Sequence, residues 1–362
     1  MPVSGSVLTA GVAVESAVML GPNRASRVRL TEAPVRTARL ADTPLTAEDR
    51  ILPPWPGASV SVGRYELFVR ATPGGPDAEP ALYVHGLGGS STNWTDLAGL
   101  LSPRLAGVAL DLPGFGRSFP PPDDDYSLRS HVRAVTEYLE HLGRGPVHLF
   151  GNSMGGAIAI VIAASRPDLV RTLTLVSPAV PDLRPRMRRQ DPVLSLMMLP
   201  GLGPAVLRRL EQASPETRVR RMLRLCLADP TSVPPERLAE AVAELRYRAR
   251  LGWASDALVR SLRGLVASYL APGASRMWAR MGAIKAPTLV IWGDRDRLVN
   301  VSRAARTATV IPGARLLVIR DVGHVAQMEQ PRTVARAVLA LLDDAPDALG
   351  TGRDMAARPR TR

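Results

Sequence analysis

The run Val147-His148-Leu149-Phe150-Gly151-Asn152-Ser153-Met154-Gly155-Gly156-Ala157 changes character within four residues. Residues 147–150 form a short apolar stretch of the kind that makes a buried strand. From Met154 to about residue 164 the small and aliphatic residues suit a helix. Ser153 stands at the corner between the two. A serine on so sharp a strand-to-helix turn is held in a strained backbone conformation with its hydroxyl presented outward. Gly151 and Gly155 leave room for a turn that tight. The helix N-terminus beside it favours negative charge that develops nearby. The pattern Gly-x-Ser-x-Gly is weak by itself; the strand before it and the helix after it give it weight. Ser153 is therefore the candidate nucleophile, and the competing reading is an ordinary glycine-rich turn.

Upstream, His85-Gly86-Leu87-Gly88-Gly89-Ser90 follows another apolar run, residues 81–84. Acyl transfer needs backbone N–H donors that face the carbonyl oxygen, one from such a loop and one from the residue after the nucleophile. Leu87 and Met154 are the expected oxyanion-hole donors. His85 precedes the turn and is read as structural. A phosphate-binding loop is the rival, but no Gly-Lys-Ser/Thr follows these glycines. Downstream, Trp292-Gly293-Asp294-Arg295-Asp296 ends the run 288–291, and Asp321-Val322-Gly323-His324 follows the run 316–319. Groups at strand C-termini lie where open α/β sheets keep their active sites. His324 is the expected base, and Asp296 the carboxylate that orients it. Asp294 competes with Asp296 but suits a turn-capping role, and Asp182 is a distant third. The chain order is Ser, Asp, His, one of the orders in which this triad occurs. His131, His141 and His148 show no metal-ligand spacing, so neither metal nor cofactor is expected. The loop Asp111-Leu112-Pro113-Gly114-Phe115-Gly116-Arg117-Ser118 reads as scaffold at the same sheet edge, with substrate contact as its alternative.

Short apolar runs recur at 81–84, 108–110, 147–150, 173–176, 288–291 and 316–319, with helical stretches at 128–142, 154–164 and 333–342. Such alternation implies a mostly parallel sheet with helices on both faces, an α/β architecture. Residues 60–71 alternate like one half-buried strand. Residues 183–275 break the pattern, being rich in Arg, Leu, Met and Ala at helical spacing. The expected organisation is a disordered N-terminal extension over 1–59, closed by Pro53-Pro54-Trp55-Pro56-Gly57, then a core in two parts, 60–182 and 276–345. A helical insertion over 183–275 separates the two parts, and a disordered tail follows over 346–362. Leu194, Leu196, Met197, Met198 and Leu199 in the insertion need a partner face. Crossover helices already claim the sheet faces, so the insertion is expected above Ser153 as a lid, with Arg208, Arg209, Arg220 and Arg221 turned to solvent. An outward-facing hairpin used for dimerisation is the alternative.

The chain has 362 residues, 46% hydrophobic and 22% charged, enough for a sizeable core. Its net charge of +13 comes from 46 basic and 33 acidic residues, and Lys285 is the only lysine. The basic residues form no single long run. A general arginine bias is therefore preferred over a nucleic-acid site, and weak contact with an anionic membrane surface stays open. One cysteine, Cys226, permits no internal disulfide. No run of apolar residues has the length of a transmembrane helix, and the first residues lack the basic start of a signal peptide. A cytoplasmic protein with a small-molecule substrate is the expectation.

His85-Gly86, the 111–118 loop, the 151–156 turn, Gly293 to Asp296 and Gly323-His324 occur in that order over residues 60–345. Together they resemble the α/β-hydrolase superfamily, in its serine-nucleophile branch with a helical cap. The resemblance implies a sheet of about eight strands and a helical cap over the site. It also implies hydrolysis by Ser153, His324 and Asp296 through an acyl-enzyme. The Gly-Asn-Ser-Met-Gly-Gly form looks like that of carbon–carbon bond hydrolases of aromatic-ring degradation. However, Pro-Gly-Ala is missing after His85-Gly86, and Val325 stands where those enzymes usually have Trp. Epoxide hydrolases and haloalkane dehalogenases place Asp where Ser153 stands. A carboxylic ester hydrolase for a small apolar ester is the leading expectation. A carbon–carbon hydrolase of ring-fission products, an amidase, a thioesterase or a lactonase comes next, and a non-catalytic binding member of the fold represents another class.

Overall fold

The structure, a computed structural model, describes residues 35–45, 51–182, 202–270 and 275–345. Its strands are β1 (Arg36–Thr37), β2 (Gly57–Val62), β3 (Tyr65–Thr72), β4 (Glu79–Val84), β5 (Leu105–Leu110), β6 (Val147–Asn152), β7 (Val170–Val176), β8 (Thr288–Gly293) and β9 (Arg315–Ile319). They join one nine-stranded sheet in the order β1-β9-β8-β7-β6-β4-β5-β3-β2. Only β3 runs against the others. Every residue of β6 and β8 is buried, as befits parallel strands covered on both faces.

The helices of the sheet are α1 (Thr95–Leu101), α2 (Leu128–Leu142) and α3 (Met154–Ser165) in the first half of the chain. Between β7 and β8 come α4 (Leu202–Glu211), α5 (Pro215–Cys226), α6 (Pro235–Arg248), α7 (Ala254–Leu270) and α8 (Ser275–Met281). The last three are α9 (Ser302–Val310), α10 (Ala326–Glu329) and α11 (Pro331–Asp344). Residues of α2, α3, α8 and α9 share one core layer with the sheet, and residues of α1 and α11 share the other. Helix α3 is buried nearly all round, which explains its want of a polar face. Helix α2 starts where Ser127 Oγ accepts the Ser130 N–H (3.2 Å) and ends at Gly143 in the left-handed region, a start and stop chemistry legible in the sequence.

Three expectations change. The stretch 1–59 is not wholly extension. β1 pairs in parallel with β9, Ala38 is buried beneath it, and Ala38 N–H donates to Leu316 O (2.9 Å). Residues 51–56 dock on α1, where Trp55 Nε1 donates to Thr95 O (2.9 Å). The composition misled because so short an edge strand carries no periodicity. The single strand read over 60–71 is instead the hairpin β2–β3, with Gly63 at φ 54° in its two-residue turn, a conformation glycine adopts without strain. The ninth strand beyond the expected eight is β1. The apolar run 194–199 lies outside the described residues, as do 1–34, 46–50 and 346–362. No helix among the described residues is long and apolar enough to cross a membrane.

Helix α3 meets the end of β4 at Gly155. A Cβ there would overlap the Val84 and His85 carbonyl oxygens, and backbone cannot move aside as a flexible side chain can. Gly155→Ala should lower the unfolding free energy by about 3 kcal/mol, seen as a shifted urea midpoint at unchanged slope. A variant as stable as the parent would contradict this close approach.

Candidate active site

β4 and β6 are neighbours, while the chain leaves β4 for β5 on one side and continues from β6 to β7 on the other. Such a switch point opens a crevice at the C-terminal edge of a parallel sheet. Ser153 stands there with φ 53° and ψ −117°. Its N–H donates to Val176 O (3.1 Å), and its carbonyl accepts from Ala157 N–H (3.0 Å) and Ala179 N–H (2.9 Å). These bonds hold a conformation that a serine would otherwise avoid. The loop after β4 crosses beside it, and a Cβ on Gly86 would sit 2.9 Å from Ser153 Cβ. Leu87 follows Gly86 in that loop. Met154 opens α3, so its N–H is among the donors a helix leaves without an intrahelical acceptor.

His85 is fully buried. Nδ1–H donates to Gly86 O (2.7 Å), and Nε2 accepts from Leu112 N–H (3.0 Å). Burial pushes its pKa down to about 4, so the ring is neutral and spends both nitrogens holding two loops together. Asp111 is buried too, and its carboxylate accepts from Ser91 N–H (2.5 Å) and Arg117 N–H (2.9 Å). The 111–118 loop is thus tied into the scaffold, as expected.

His324 Nδ1 lies 2.9 Å from Asp296 Oδ2, and both residues are buried. Asp296 Oδ1 also accepts from Leu298 N–H (2.8 Å) and Val299 N–H (2.9 Å). Burial alone would raise the pKa of Asp296, but the His324 ring and these two N–H groups outweigh it and hold the carboxyl below its ordinary range. With Nδ1 donating to a carboxylate, Nε2 is the nitrogen left to take up a proton. Asp294 instead accepts the Asp321 N–H (2.7 Å) and braces that turn, where Asp321 has φ 54°. Asp182 pairs with Arg303. His148 sits at the opposite sheet edge, bonded to Glu79 (2.6 Å) and Thr172 (2.8 Å). A cavity of about 100 Å³ lined partly by His148, Glu79, Arg104 and Arg171 lies there, away from Ser153. Among the described residues no group of three or more His, Cys, Asp or Glu could hold a metal ion.

The helices between β7 and β8 touch the same loops. Arg248 on α6 donates to Gly88 O (2.7 Å). On α7, Leu258 and Ala257 face Gly88 and Gly114, and Gly264 lies against the backbone of Tyr126 and Ser127. Arg209 and Arg220 are exposed, as expected, but Arg237 turns inward to Asp96 and Glu240. Two residues with structural roles at this site escaped the sequence reading. Asn152 Nδ2 donates to Val176 O (3.0 Å) and His324 O (3.1 Å), binding the turn of Ser153 to the loop of His324. Glu329 accepts the Gly323 N–H (2.7 Å) and the Ala228 N–H (2.8 Å). Asn152 lay inside the quoted motif, but its partners are remote in sequence. Glu329 follows His324 by five residues with no spacing rule to mark it.

A family model described as the alpha/beta hydrolase fold matches residues 80–331, more than half of the chain. The chain belongs to the α/β-hydrolase-fold family, and it is a hydrolase. It is 27% identical over 288 residues to the 2-hydroxy-6-oxononadienedioate/2-hydroxy-6-oxononatrienedioate hydrolase of Cupriavidus pinatubonensis, covering 78% of this chain and 93% of that protein. It is 28% identical over 291 residues to the monoacylglycerol lipase abhd6-B of Xenopus laevis, covering 78% of this chain and 80% of that protein. The crystal structure of a putative lipase from Acinetobacter baumannii matches with a TM-score of 0.66 at 23% identity, over 80% of this chain and 91% of that one. The last likeness speaks for the fold alone.

Folding lowers the pKa of Asp296, so the unfolded chain binds that proton more tightly. Its contribution to stability is therefore present above the unfolded value of about 3.9 and is lost as the pH falls through the folded value. Urea midpoints of the parent and Asp296→Asn should differ more at pH 7 than at pH 3. An equal gap at both pH values would show that the carboxylate is not held ionised by its partners.

Proposed function

We propose that this chain hydrolyses carboxylic esters through a triad of Ser153, His324 and Asp296. The buried bond between His324 Nδ1 and Asp296, beside the strained turn of Ser153, carries this reading. Ser153 Oγ attacks the ester carbonyl carbon while His324 Nε2 takes its proton. The tetrahedral intermediate collapses, and the imidazolium returns the proton to the departing alcohol. Water then attacks the acyl-enzyme by the same route and releases the acid. Asp296 fixes the tautomer of His324 and stabilises the imidazolium. The Leu87 and Met154 N–H groups receive the oxyanion, each contributing about 3 kcal/mol. No further group is needed for this balance.

The described helices of the insertion, over 202–270, form a cap in this reading. Their contacts with Gly88, Gly114 and Gly323 support a place above the nucleophile. The ester choice is supported by the relative named a monoacylglycerol lipase, since a monoacylglycerol is a carboxylic ester. A carbon–carbon hydrolase is the second reading, favoured by the name of the Cupriavidus relative. The same serine and histidine would serve it.

Ser153→Ala should lower kcat by about 10⁴-fold or more with the fold intact, and Asp296→Asn should lose far more activity than Asp294→Asn. The deciding assay sets p-nitrophenyl esters of rising chain length beside a ring-fission dienone. Higher kcat/KM on an ester supports the first reading. Turnover of the dienone alone moves the assignment to the second, and unimpaired ester turnover by Ser153→Ala removes the triad.

A further inference from the structure

The base loop is built partly from the insertion. His324 N–H donates to Cys226 O (2.6 Å), the last residue of α5. Gly323 has no room for a Cβ, because Cys226 O and Ala228 N occupy that space. Arg297 adds hydrogen bonds to Arg224 O and to Leu227 O (3.4 Å). Between these strands of contact lies Glu329. One of its carboxylate oxygens holds the N–H of the residue before His324, and the other holds the N–H of Ala228, just past α5. With acceptor capacity on both oxygens, one carboxylate holds both donors at once.

We infer that Glu329 is a positioning residue for His324, clamping the base loop to the end of α5 so that the imidazole keeps its place only while that end stays docked. The inference rests on His324 being the base. The groups facing this clamp are Asp296 from the loop after β8, His324 itself, the Cys226 thiol from α5 and the Arg297 guanidinium, which is spent on carbonyls. Burial raises the pKa of Glu329, the two N–H donors pull it down, Asp296 pushes it up and His324 draws it down, leaving it above the usual range. Glu329 acts on His324 by geometry, through the two N–H groups that it holds.

Glu329→Gln keeps the size and one acceptor oxygen but sets an NH2 against the second N–H donor. It should reduce kcat/KM for the preferred p-nitrophenyl ester by about ten- to a hundredfold. The loss should fall on kcat while KM stays within about twofold, because the base is misplaced and substrate binding is not. Ala228→Pro removes the other donor and leaves the charge in place. It should likewise reduce kcat with KM little changed, and it decides the matter if Glu329→Gln does not fold. A kcat of Glu329→Gln equal to the parent's, a loss carried by KM alone, or a loss that only follows a fall in Tm overturns the proposal. Normal kcat in Ala228→Pro overturns it as well. If Ser153→Ala is inactive in the same assay, such results remove only the role of Glu329; if Ser153→Ala is active, the functional reading falls with it.

Discussion

Ser153 keeps a positive φ because its N–H is committed to Val176 and its carbonyl to Ala157 and Ala179. Those three partners belong to the end of β7, the first turn of α3 and the loop beyond β7. The strained turn therefore exists only where β6, β7 and α3 are already in register. Glycines at 151 and 155 let these backbones approach, and larger residues would separate them. The remaining site elements are fixed relative to this corner. Asn152 reaches from it to the His324 loop, and the 85–89 loop passes against the Ser153 Cβ. A strained residue persists when its surroundings over-determine it, and here the surroundings are the central strands of the sheet.

What could be read from the sequence was what depends on local chemistry. The buried strands announce themselves as short apolar runs, and α2 as a helical stretch between them. Ser153, Asp296 and His324 each stand just beyond a strand, and their local motifs and chain order point to them. Asp294 and Asp296 share the same loop, and only the fold separates them: one faces a ring nitrogen and the other a backbone N–H. β1 has two residues and no pattern, so it could not be seen. Glu329 and the residues at 226–228 meet across about a hundred positions of chain, and nothing local marks either.

Arginine was read as surface decoration, and for Arg209 and Arg220 exposure agrees. Others fasten the insertion to the sheet domain. Arg237 reaches Asp96 on α1, Arg260 reaches Asp124 before α2, and Arg248 reaches a carbonyl in the loop that carries Leu87. The exposed pair of Arg260 and Asp124 adds little stability. The guanidinium of Arg248 is more consequential, because its Nε is buried without a partner and its position depends on a single carbonyl and the nearby Glu244. A composition count cannot distinguish these two uses of one residue type.

The two residues of β1 have an effect out of proportion to their length. Without them β9 would be the last strand of a long parallel sheet, with a row of N–H and C=O groups open to any passing chain. Residues 36–38 occupy part of that row, and Arg39 then turns away to Asp344 at the end of α11. A short strand followed by a charge is how folded proteins blunt a sticky edge. Residues 36–38 therefore cover backbone groups of β9 that a second copy of the strand would otherwise be free to pair with.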